Sequence, residues 1–166
     1  MKKFYIIVSL IFFVVISVIS LAKATQPVLK GSVMAVPNEM YGLWRVVSKR
    51  IDTDSPITFK EKGVDLWNLS VENDVINLSN PFSGASAKVE VNSIEGNTVT
   101  FTKSGRNGNK YLTDTVSITL NGNDFEGIDE LKLDTVSAIN GKIMKTETAK
   151  YSLRGEKIAG ESILKN

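Results

Sequence analysis

Tyr41-Gly42-Leu43-Trp44-Arg45-Val46-Val47-Ser48-Lys49-Arg50 sets an apolar/polar alternation behind a glycine. Successive side chains of a strand point to opposite faces, so this stretch predicts a β-strand whose Trp44 ring anchors one end of a core. The same period of two recurs downstream. Val99 and Phe101 alternate with Thr98, Thr100 and Thr102; Val116, Ile118 and Leu120 alternate with Ser117 and Thr119; Leu131 and Leu133 alternate with Glu130, Lys132 and Asp134. Each strand has one wet and one dry face, the signature of an antiparallel sheet rather than a parallel sheet covered on both sides.

Nine segments read as strands: 43–51, 57–60, 65–72, 75–79, 85–94, 98–104, 111–120, 124–134 and 143–153. Between them lie clusters of Asn, Asp, Gly and Pro, such as Glu95-Gly96-Asn97, Asn121-Gly122-Asn123 and Asn140-Gly141, residues that accept positive φ or end a ladder. Strands about ten residues apart, joined by tight turns, predict an all-β, antiparallel up-and-down meander closing into a small barrel, with a β-sandwich as the alternative. Past the first 24 residues only Ile158 to Leu164 suggests a helix, a short terminal one.

Met1-Lys2-Lys3 followed by the apolar run Phe4 to Leu21 and Ala22-Lys23-Ala24 has the layout of a secretory signal peptide over residues 1–24. Its length also allows an uncleaved anchor through residues 4–21. Either way the remainder is expected outside the cytoplasm, in the periplasm or the extracellular space. Residues 25–38, with Pro27, Gly31 and Pro37, read as a linker or arm, or alternatively as a segment in which Val33 to Val36 plugs one end of the fold; residues 39–166 form the barrel domain. Without Lys2, Lys3 and Lys23 the chain has 17 basic against 18 acidic residues, no electrostatic footprint for nucleic acid. There is no Cys and no His, which excludes disulfides, thiol nucleophiles, His-based triads and the usual zinc ligands. No cofactor is expected.

Gly42-Leu43-Trp44 resembles the Gly-x-Trp signature on the first strand of lipocalins and related calycin barrels. In that family a Thr-Asp pair lies in a later inter-strand loop and an arginine near the end of the last strand packs over the tryptophan. Thr113-Asp114 and Arg154 stand here in the same order. Thr115 replaces the aromatic that usually follows, and the domain is short for a full lipocalin. The resemblance implies a barrel whose base is sealed by Gly42, Trp44 and Arg154, with Arg154 stacked on the Trp44 ring. It also implies a lumen for a small apolar ligand, which Trp67, Phe59, Phe101, Val116 and Ile118 are placed to line.

Asp124, Glu126, Asp129, Glu130 and Asp134 are dense enough to be tested for paired acid/base chemistry. An alternating strand exposing its acids to solvent explains them without a cleft, and no nucleophile and base can be assembled, so an enzyme is not expected. No metal site is expected either: Asn121 to Asp124 and Asp52 to Ser55 lack calcium-loop spacing and suit turns. Two functions follow. One is an exported domain that binds or carries a small apolar molecule. The other is a non-catalytic envelope module working through its surface, with Trp67 at the centre of an apolar patch.

Overall fold

The computed structural model describes residues 35–160; the leader, most of the arm and residues 161–166 lie outside them. A short 3-10 helix, Asn38–Met40, precedes eight strands: β1 (Gly42–Thr53), β2 (Lys62–Glu72), β3 (Val75–Ser79), β4 (Ser86–Glu95), β5 (Thr98–Asn107), β6 (Lys110–Asn121), β7 (Asp124–Val136) and β8 (Ile143–Ala159). Each pairs antiparallel with the next, and β8 pairs with β1 through contacts such as Val46 with Gly155, so the sheet closes into a barrel. The meander expected from the period-two pattern is therefore present, and it is a ring rather than a sandwich.

Tight turns carry the up-and-down path. Asn73 and Asp74 both hold positive φ between β2 and β3, the backbone that a two-residue hairpin matched to strand twist requires. Three other joins are longer and sit at the same end of the barrel, residues 54–61 between β1 and β2, 80–85 between β3 and β4, and 137–142 between β7 and β8. One strand expected from sequence does not form. Ile57–Lys60 turns back on itself, with the Thr58 and Phe59 amides donating to the Ser55 carbonyl, because Pro56 interrupts any ladder and the segment folds over the barrel mouth. At the other terminus Ile158 and Ala159 continue β8 instead of opening a helix, and the rest of that stretch lies outside the described residues.

The dry face of every strand turns inward. Trp44, Trp67, Phe101 and Phe125 are all fully buried and touch in series: Trp44 to Phe125 at 5.1 Å between ring centroids, Phe125 to Trp67 at 6.0 Å, and Trp67 to Phe101 edge-on at 6.5 Å. Such offset and edge-on contacts add about 0.5–1.5 kcal/mol per pair beyond area burial. Gly155 makes room for them, since a Cβ there would lie 2.1 Å from the Phe125 ring. The Trp44 indole N–H donates to the Met40 carbonyl at 2.9 Å, and Met40 and Val36 join the core, so the arm's last residues close this end of the barrel.

Candidate functional site

A layer of four charged residues breaks the apolar character of the inner face. On β5, Val99, Phe101 and Lys103 share one parity; on β6, Leu112, Asp114 and Val116 do; on β7, Asp129, Leu131 and Leu133; on β2, Asp65, Trp67 and Leu69. Lys103, Asp114 and Asp129 are all buried. Lys103 ion-pairs with Asp114 and sits 5.8 Å over the Trp67 ring, a cation–π distance. Burial pulls the Lys103 ammonium down, but Asp114, Asp129 and Asp65 outweigh it and hold it above the ordinary lysine value.

The acids outnumber the lysine, and the excess falls on Asp129. It is 3 % exposed, and its Oδ1 finds no hydrogen-bond partner among the described residues. Desolvation and the nearby Asp114 carboxylate push its pKa up to about 8, against the opposing pull of Lys103, so it is largely protonated at neutral pH. Asp65 is also raised by burial, but less freely, because it accepts from the Leu66 amide at 2.8 Å, from Asn80 Nδ2 at 2.7 Å and from the Trp67 indole N–H at 3.2 Å. These bonds fix the orientation of both the carboxylate and the ring.

Above this polar layer the barrel is not filled. A cavity of about 260 Å³ is lined by Asp129 and Asp65, by Trp67 and Leu133, and by Phe59 and Tyr151. Its roof is the 54–61 connection. The Arg50 guanidinium donates to the Phe59 carbonyl and, at 3.2 Å, to that of Pro56; the Tyr151 hydroxyl donates to the Lys60 carbonyl at 2.7 Å. Ser55 and Thr58 hydroxyls both donate to Glu147, which also pairs with Lys145 at 2.8 Å. Burial alone would raise the Glu147 pKa, but these donors lower it to about 2. Asp54 accepts from the Thr148 amide and hydroxyl at 2.8 and 2.9 Å. The roof is thus tied to β8 and β1 by backbone bonds at its two ends, Asp54 N–H to the Thr148 carbonyl at 3.3 Å and Arg50 N–H to the Glu61 carbonyl at 2.7 Å, and by side chains between them.

Of the residues placed in the lumen from sequence, Trp67 and Phe59 reach this cavity, whereas Phe101, Val116 and Ile118 are buried in the packed part of the barrel. At the base, Trp44 is fully buried behind Gly42, whose φ of +124° sets a close approach to the Gly160 carbonyl. Arg154 does not stack on Trp44. Leu153 and Gly155 face inward, so Arg154 must face out, where it pairs with Glu126 at 2.9 Å; Lys157, three residues nearer the base and opposite Trp44, lies 5.0 Å over the ring instead. Thr113-Asp114 lies in the middle of β6, not in a loop. Asp129 corrects the reading of the β7 acids as a solvated row, since its parity is that of Leu131 and Leu133. Trp67, buried, cannot centre a surface patch.

A broader depression of about 600 Å³ on the outer wall is flanked by Arg45, Arg154, Glu126 and Glu156, all exposed. It is an exposed, charged depression crossed by the Arg154–Glu126 pair and not a comparable site. Among the described residues no group of three or more His, Cys, Asp or Glu side chains could hold a metal ion. No family model matches the chain, and neither a curated protein nor a solved structure matches it.

Proposed function

We propose that this is an exported, non-catalytic barrel of the calycin-like kind that binds a small molecule beneath the 54–61 roof. The observation that carries the reading is the 260 Å³ cavity between a packed aromatic base and a side-chain-strapped roof. Its size lies just under the roughly 300–1,000 Å³ of pockets that bury drug-sized ligands, so the ligand is small. The eight-strand meander and Gly42-Leu43-Trp44 on the first strand support kinship with calycins; the outward Arg154 and the mid-strand Thr113-Asp114 are departures from that pattern. Native mass spectrometry of the protein purified from its own host tests the function. A small molecule that co-purifies and is lost on unfolding supports it, and a bare chain whose Trp67 fluorescence no small molecule shifts counts against it.

The envelope-module reading keeps one observation in its favour. Ile57, Phe82 and Ile139 are 92, 86 and 96 % exposed, and lie in the three longest connections, all at the roofed end. Three large apolar side chains on loop tips at one end of a barrel suit contact with a membrane or a partner. Replacing all three by Ser and following the protein between soluble and membrane fractions tests it, with unchanged partition as the negative result.

A further inference from the structure

The carboxylates at the floor of the cavity say more about what fits there. A cavity built only to exclude water would be lined by apolar side chains, and most of this one is: Leu112, Leu131, Leu133 and Leu153 contribute to its wall. Asp129 and Asp65 interrupt that wall from strands β7 and β2. A buried carboxylate with an unpartnered oxygen destabilises the fold unless something else uses it. Asp129 has such an oxygen, and Lys103, the buried cation of the layer among the described residues, attracts Asp129 but bonds to Asp114.

Resting on the small-ligand reading above, we infer that the cavity takes a small organic cation, a primary or secondary amine on a short apolar body, whose ammonium group pairs with Asp129 and Asp65 and whose body lies against Trp67 and the leucines. The charge pattern agrees. The groups facing Asp129 are Asp114 and Lys103 on β6 and β5, Asp65 on β2, Tyr151 on β8 and its own neighbour Glu130, with Arg50 beside Tyr151 and Lys60 and Lys62 at the mouth. Lys60 and Lys62 are exposed, where water screens them. Inside, one lysine stands against three acids and is paired with Asp114, so an arriving cation that displaces the Asp129 proton gains a carboxylate next to an aromatic face. Because Asp129 holds a proton at neutral pH, cation binding expels it, and affinity rises with pH up to about 8 and then levels, while alkylamines stay charged to about pH 10.

The test titrates the full-length protein with butylamine, hexylamine and phenethylamine, each beside the alcohol and the carboxylate of the same skeleton, followed by tryptophan fluorescence and calorimetry. The expected result is at least one amine bound tenfold or more tighter than its alcohol, with no carboxylate bound, up to one proton released per amine at pH 7, and affinity falling roughly tenfold from pH 7 to pH 6. Asp129→Asn should abolish the amine preference and its pH dependence while alcohol binding persists. The pH profile of the unsubstituted protein stands as the independent measurement should that variant not fold. Alcohols binding as tightly as amines would overturn the cation assignment and leave the small-ligand function standing. No binding by any of the nine compounds would overturn both.

Discussion

Asp129 and Lys103 face the same buried layer but respond to substitution in opposite directions. Lys103→Met removes the one cation among three acids and leaves Asp114 buried without its ion-pair partner, a change that costs about 3–5 kcal/mol where a buried pair is broken. Urea unfolding at pH 7 measures it. Asp129→Asn does the reverse. The folded Asp129 pKa of about 8 lies far above the unfolded value of about 3.9, so its destabilising effect is absent below pH 4, grows as the unfolded state ionises, and levels off above pH 8. The variant should therefore match the parent at pH 4 and exceed it by a few kcal/mol at pH 8, read by thermal melts at both. Much of this was legible in the alternation. Lys103 follows Val99 and Phe101 at the inward parity, and Asp129 precedes Leu131 and Leu133 at theirs; counting parity through the charged residues places both inside. What spacing does not contain is which acids meet, because Asp65, Asp114, Asp129 and Lys103 converge only through the ring's register.

At the scale of an element, the 54–61 connection is where local and tertiary forces compete. Ile57-Thr58-Phe59-Lys60 has the composition of a strand, and no neighbouring strand edge is open to it once the barrel closes. Phe59 instead buries over the mouth, in a segment held by Arg50, Glu147 and Tyr151, residues 6 to 92 positions away from their partners in the roof. No short-range pattern announces such contacts. Glu147→Gln should loosen the roof and speed exchange of the Thr58 and Phe59 amides about tenfold, equivalent to about 1.4 kcal/mol of local opening, while β6 and β7 amides stay unchanged. The depressed Glu147 pKa gives the pH sign. Its contribution is full above about pH 4.3 and is lost as pH falls towards about 2, so the roof should keep its protection at pH 5 and lose it by pH 2. Hydrogen exchange across that range decides the point.

For the molecule as a whole, the cavity and the barrel's closure depend on one fit. β8 meets β1 with Val46 opposite Gly155, and Phe125 lies over the space a side chain at 155 would need. Gly155→Ala should cost about 1–3 kcal/mol by displacing Phe125 and the aromatic series it belongs to, seen as a lower urea midpoint and altered tryptophan emission. The ring itself was foreseeable from the alternating runs and their turns, although one of the nine expected strands is the roof; the void was implied only by the calycin resemblance, because a filled and a partly empty barrel share one pattern of inward residues. The seam has a further consequence in time. A chain that emerges end first, from a ribosome or through a membrane pore, carries β1 out long before β8, and until residues up to Ala159 are free both flanks of the growing sheet stay unpaired. The ring therefore cannot close until its last strand arrives.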